Sequence, residues 1–256
     1  RLRLLAGIVY ISFNASFGSR QSGTSCDFNS QLSAFTIEDT TSSVTFGGYV
    51  VYSAAGTEHL SPLTAVRTNG AINLGIGTDD TDDVIGGIFL NGGNTTADTT
   101  LVFSTSGDDI RINGAVELQG GVTFTTSSNE TTGANTQTLD GNILFTDNAT
   151  IDSQATGGGD VSEDNSLRLL AGIGNISFNA NIGARQSGTA GDFNSQLGTF
   201  IIEDTTGSVT FGGNDVDSAA GTEDLAQLTA VRTNGAINLG IGNDDTDEVI
   251  GGILLN

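Results

Sequence analysis

The sequence contains no lysine, methionine or tryptophan, and only one cysteine, one proline and one histidine. Each shortage removes a class of chemistry. Without lysine there is no Schiff-base catalysis, no phosphate-loop lysine and no lysine-dependent isopeptide cross-link. Cys26 alone cannot close an internal disulfide, and a chain without a disulfide framework suits either the cytosol or a bacterial secreted protein. The missing methionine leads us to expect an internal segment or a processed product. No apolar run approaches the ~18 residues of a membrane span, and no charged-then-apolar leader follows Arg1, so an export signal is expected outside these residues. Positive charge is equally scarce. Eight arginines face 30 acidic residues, a net charge of −22 over 256 residues. Phosphate backbones would be repelled, which argues against nucleic acid as a partner.

What is abundant is glycine, at 37 residues, together with Thr, Ser, Asn and Asp. Apolar residues make up 36%, less than in an average globular domain. They fall in short regular runs of Val, Ile, Leu and Phe, which favours strands and turns over either disorder or helices.

Residues 1–91 recur as 166–256, with 70 of 91 positions identical. LTAVRTNGAINLGIG from Leu63 reappears unchanged from Leu228. The chain therefore reads as one continuous segment, with a first unit at 1–165 and a partial second unit at 166–256. A finer period runs inside the unit. Apolar-x-apolar triplets start at Ile11, Val44, Ile72, Ile110, Ile143, Ile176, Val209 and Ile237, in steps of 33, 28, 38, 33, 33, 33 and 28 residues. Earlier triplets precede them, as at Leu2–Leu5, Phe35–Ile37, Leu63–Val66 and Leu101–Phe103.

Short strands in fixed order with such a period predict an all-β fold, a parallel β-helix or β-solenoid. No single turn can bury its apolar side alone, and stacking closes a continuous core. We expect about 33 residues per turn and five turns per 165-residue unit. The whole is then about eight turns, a rod on the order of 37 Å long at ~4.8 Å per turn. Alternation puts Val44 and Phe46 inward and Thr45 outward. A β-propeller has repeats of comparable size but closes on itself, and tandem sandwich domains are the other alternative.

The phrases SLRLLAGIGNISFNANIG, FIIEDTTGSVTFGG and LTAVRTNGAINLG resemble repeats of the giant filamentous-haemagglutinin-like surface proteins of bacteria. The resemblance covers nearly the whole chain. It implies a right-handed β-helix, secretion, and an adhesive or fibre-forming role at the bacterial cell surface. The long segments GSRQSGTSCDFNSQL and GARQSGTAGDFNSQLG depart from that pattern.

The densest acidic site is Asp79, Asp80, Asp82 and Asp83, copied as Asp244, Asp245, Asp247 and Glu248. Clustered oxygen ligands suit Ca²⁺, although the spacing is neither an EF-hand nor the β-helix nonapeptide. The alternative is a solvated loop that keeps the rod soluble. A weaker group is Asp108 and Asp109, where Arg111 is placed to pair. Arg20 and Arg185, and Arg67 and Arg232, are expected to pair with carboxylates on neighbouring turns, or to serve a ligand. Tyr49, Val50, Val51 and Tyr52 become Asn214, Asp215, Val216 and Asp217 in the second copy. The first set is a candidate contact surface, the alternative being drift in a loop. Sequons at sites such as Asn148 and Asn175 are no more frequent than this composition produces by chance.

An enzyme needs one site, whereas a fibre needs periodicity. Tyr10, Tyr49, Tyr52, His59 and Cys26 are all absent from the second copy, and no Trp offers a sugar platform. We therefore expect no enzyme. The reading is a structural segment of a long secreted repetitive protein that builds an extracellular fibre, sheath or adhesin stalk, by self-association or covalent continuation. The alternative is a binding module whose loops recognise a glycan or a surface protein. A β-helix polysaccharide lyase or hydrolase is less favoured. An ice-binding face would want a regular Thr-x-Thr array, which is missing.

Overall fold

The computed structural model describes residues 1–5, 7–8, 10–18, 31–47, 51–53, 56–58, 63–76, 82–91, 100–127, 141–156, 161–162, 164–184, 195–212, 228–240 and 249–255. Among these residues every regular element is a strand. The apolar-x-apolar triplets behave as their alternation dictates. In Val44–Phe46, Ile72–Leu74, Ile110–Ile112, Val116–Leu118 and Ile143–Phe145 the outer two side chains are buried and the middle one is half-buried.

The strands assemble into three parallel sheets. Sheet I has eight strands: Leu2–Leu4, Phe35–Ile37, Ile72–Leu74, Ile110–Ile112, Ile143–Phe145, Ile176–Phe178, Val209–Phe211 and Ile253–Leu255. Sheet II has five: Ile11–Phe13, Val44–Phe46, Ile88–Leu90, Val116–Leu118 and Ile151–Ser153. Sheet III has six: Ala65–Thr68, Leu101–Thr105, Val122–Thr125, Leu167–Gly172, Phe200–Thr205 and Ile237–Leu239. The chain visits them in the cyclic order I, II, III, with single bridges at Phe17, Ile182 and Val231 standing where a circuit has no strand in one sheet. Each strand pairs with the strand one circuit later, which is a β-helix-like winding. Two short antiparallel pairs, Val51–Ser53 with Gly56–Glu58 and Ala155–Thr156 with Val161–Ser162, lie between strands of sheets II and III.

Paired residues are 33 apart at Leu2↔Phe35, Ile11↔Val44, Ile110↔Ile143, Ile143↔Ile176, Ile176↔Val209 and Leu167↔Phe200. Between paired strands the tightest circuit, Leu101↔Val122, takes 21 residues and the longest, Val122↔Leu167, takes 45, while the single bridges Phe17↔Val66 and Ile182↔Val231 span 49. A strand-bearing circuit thus needs only about two dozen residues, and the surplus sits in the connections. One expected stacking does not occur. An even five-turn count places Val44–Phe46 beneath Ile72–Leu74, but it pairs with Ile88–Leu90, and Ile72–Leu74 pairs with Phe35–Ile37. The 28-residue step between the two triplets joins different sheets.

The interior is a single apolar column in which phenylalanines form a spine. Ring centroids follow at 5.0 Å from Phe13 to Phe46 and 5.0 Å on to Phe103. The next steps are 5.1 Å to Phe124, 5.6 Å to Phe145, 5.1 Å to Phe178 and 5.2 Å to Phe211. Each such pair adds about 0.5–1.5 kcal/mol beyond the area it buries. The spine starts on sheet II, crosses to sheet III at Phe103, and ends on sheet I.

Corners need hydrogen-bond partners of their own for the backbone N–H groups that precede each strand. Before the sheet I strands, side chains supply them. Asp109 Oδ1 accepts from Asn142 N–H at 2.8 Å, Asn142 Oδ1 from Asn175 N–H at 2.9 Å, and Asn175 Oδ1 from Ser208 N–H at 2.9 Å. A glycine column runs alongside at Gly141, Gly174, Gly207 and Gly251. A Cβ on Gly174 would lie 2.0 Å from the Gly141 carbonyl oxygen, and one on Gly207 would lie 2.1 Å from that of Gly174. Successive turns approach too closely there for any side chain.

Candidate functional site

Of the acidic candidates, Asp82 and Asp83 lie among the described residues. Asp79, Asp80, Asp244, Asp245, Asp247 and Glu248 lie outside them. The corner that carries Asp82 and Asp83 is built by backbone pairing. Thr40 N–H donates to the Asp83 carbonyl at 3.0 Å, and Ile85 N–H donates to the Thr40 carbonyl at 3.0 Å. Val84 N–H donates to the Asn113 carbonyl at 3.0 Å, while Asn113 Nδ2 donates to the Asp82 carbonyl at 2.7 Å. This stacking sets Asp39, one turn below, beside Asp83. Burial above all, then the charges of Asp39 and Asp82, pushes the Asp83 carboxyl above its ordinary pKa. The corner thus concentrates negative charge from two turns. Among the described residues no group of three or more His, Cys, Asp or Glu side chains has the geometry to hold a metal ion.

Arg111 pairs with Asp109 at 2.7 Å, as its spacing suggested. Arg20 and Arg185 lie outside the described residues. Arg67 and Arg232 occupy equivalent backbone positions. Arg67 N–H donates to Phe17 O and Arg67 O accepts from Leu32 N–H. Arg232 does the same with Ile182 and Leu197. Two further ion pairs cross between neighbouring turns. Arg3 donates from Nη2 to Glu38 Oε2 at 2.6 Å and from Nε to Oε1. Arg168 donates from Nε to Glu203 Oε2 at 2.8 Å and from Nη2 to the same oxygen. Both glutamates are buried, at 4% exposure. A signal was present in the sequence: Arg and Glu stand 35 residues apart in both copies.

Tyr49 and Val50 lie outside the described residues, and Val51 and Tyr52 belong to the antiparallel pair with Gly56–Glu58. Tyr10 is exposed. Asn175, a sequon residue, uses its side chain in the corner ladder.

The last described turn exposes residues that are buried in the first copy. Ile237, Ile253 and Leu255 are 47%, 42% and 78% exposed, whereas their counterparts Ile72, Ile88 and Leu90 are each 0% exposed. The difference is coverage. Ile110–Ile112 lies over Ile72–Leu74, and Val116–Leu118 lies over Ile88–Leu90.

Three parallel sheets wound around one shared apolar interior define the class: an all-β chain with a β-helix, solenoid-like fold. Comparison with protein-family models, with curated proteins and with solved structures gives no match. No helix among the described residues is long and apolar enough to cross a membrane.

Proposed function

We propose that this chain is a structural segment of a long secreted repetitive protein of the bacterial cell surface, forming an extracellular fibre, sheath or adhesin stalk. The observation that carries this reading is the repeated winding, in which each strand pairs with the strand one circuit later around one shared apolar column. A fold of that kind gains free energy from each further turn, whether supplied by the same chain or by another copy. Near-identity of the two copies supports the same reading, since a stalk draws on periodicity rather than on one unique constellation. The working part is the axial ladder of parallel strands, which resists extension, with acidic corners that keep neighbouring rods apart or take up Ca²⁺ between them.

Electron microscopy of the native source material, with and without calcium, tests this. Long thin filaments with an axial repeat of ~4.8 Å are expected. Isolated globular particles under both conditions would overturn the reading. A filament diameter or spacing that changes on calcium removal would place the ion between rods.

A further inference from the structure

We propose that the 165-residue sequence unit advances the coil by four and two-thirds turns, not by a whole number. Each copy then presents the same surface on a different side of the rod. The two copies in this chain already differ in this way. Leu2–Leu4 is in sheet I and its counterpart Leu167–Gly172 is in sheet III. Ile11–Phe13 and Val44–Phe46 are in sheet II, while Ile176–Phe178 and Val209–Phe211 are in sheet I. Ile72–Leu74 is in sheet I and Ile237–Leu239 in sheet III; Ile88–Leu90 is in sheet II and Ile253–Leu255 in sheet I. Single bridges complete the set, with Phe17 beside Val66 of sheet III and its counterpart Ile182 beside Ile151 of sheet II. Every counterpart moves by one sheet in the same sense. Counting visits to sheet I gives the advance. The chain leaves it at Leu2, returns at Phe35, Ile72, Ile110 and Ile143, and has then covered two of three sheets on reaching Leu167.

Local interactions travel with the copies. The Arg3–Glu38 pair on sheet I is rebuilt as Arg168–Glu203 on sheet III. Ser16 Oγ accepts from Thr64 and Ala65 N–H at 2.9 and 3.1 Å, and Asn181 Oδ1 accepts from Thr229 and Ala230 N–H at 2.7 and 2.9 Å. Differences between copies follow the new position. Ser42 becomes Gly207, which stands in the glycine column where a Cβ would strike the Gly174 carbonyl. Ser33 becomes Gly198, where a Cβ would lie 1.9 Å from the Asp164 carbonyl oxygen.

The consequence concerns partners. A whole-number repeat lines equivalent connections along one side, which suits many contacts to one flat surface. A repeat that turns by a third distributes them around the axis, so that one rod bridges partners on different sides. This consequence rests on the stalk reading. The phase itself does not, and is tested within this chain.

Cysteine pairs read the phase directly, in a Cys26→Ser background. The register sets Thr36 beside Asn73 and Thr45 beside Phe89; an even five-turn stack sets Thr45 beside Asn73. Thr36→Cys with Asn73→Cys, and Thr45→Cys with Phe89→Cys, are expected to oxidise to at least about tenfold more intrachain disulfide than Thr45→Cys with Asn73→Cys, because a bridge needs Cα atoms within ~7 Å. Preferential bridging of 45 to 73 would overturn the proposal. Should none of the variants fold, NMR on the unaltered chain decides. Cross-strand contacts from Asn73 to Thr36 uphold the phase, and contacts from Asn73 to Thr45 overturn it. The filament result bears on neither outcome.

Discussion

At the residue scale, two carboxylates show how packing sets the effect of a charge. Glu203 is buried but receives two donors from Arg168, so its charge is matched. Asp83 sits in a partly buried corner beside Asp39 and Asp82, and its carboxyl is raised by burial first and then by both neighbours. A raised acid pKa in the folded state means that ionisation costs the fold free energy. The cost is absent when pH is below the unfolded value, near 3.9, grows as pH rises from there, and levels off above the raised folded value. Asp83→Asn is therefore expected to raise the melting temperature at pH 7 and to leave it unchanged well below pH ~4. Melting curves by circular dichroism at both pH values check this. An equal gain at both would assign the effect to packing instead of charge.

At the scale of the element, strands and corners place different demands on sequence. A triplet such as Ile110–Ile112 needs two inward apolar residues and tolerates almost anything between them, here an arginine paired to Asp109. That tolerance is why the strand pattern was readable. The corners demand more. The Gly174 position admits no Cβ because the Gly141 carbonyl lies at 2.0 Å, whereas a Cβ at Gly7 meets nothing within 4 Å. Gly174→Ala is expected to destabilise by about 2 kcal/mol, since backbone rather than a flexible side chain must give way. Gly7→Ala is expected to be neutral or stabilising by about 0.5 kcal/mol. Urea titrations of the two variants separate them, and equal midpoints would contradict the close approach at the glycine column.

The candidate site was legible only in part, for the same reason. The acidic run around Asp82 and Asp83 is plain in the sequence, and so is Arg111 beside Asp109. That Asp39 joins Asp83 depends on Thr40 pairing across a turn to the Asp83 carbonyl, a neighbour 44 residues away that no local spacing announces. The pairs Arg3–Glu38 and Arg168–Glu203 were within reach. Each spans 35 residues, one turn of 33 plus the two residues that lead to the next side chain on the same face of the strand.

At the scale of the whole molecule, a chain with net charge −22 is strained by self-repulsion, since eight arginines cannot offset it. Raising ionic strength from about 0.01 M to about 0.15 M shortens the screening length from ~30 Å to ~8 Å. The melting temperature is expected to rise with simple salts across that range. Calorimetry in sodium chloride checks this, and a fall would show that screening of cross-turn ion pairs outweighs relief of repulsion.

By itself the sequence determined the class of fold, the inward positions of triplets such as Val44–Phe46, and the existence of a long repeat, because period-two alternation and self-similarity are local or directly comparable properties. Only the tertiary structure decided which turn lies on which. The triplets at Val44 and Ile72 look interchangeable, and 28 residues look like a short turn. The difference lies in how many corners the connection between them rounds. Close approach of backbones at Gly174 and Gly207, pairing of Thr40 with Asp83, and the passage of the phenylalanine spine from sheet to sheet are relations between turns, and their register is settled by packing in three dimensions.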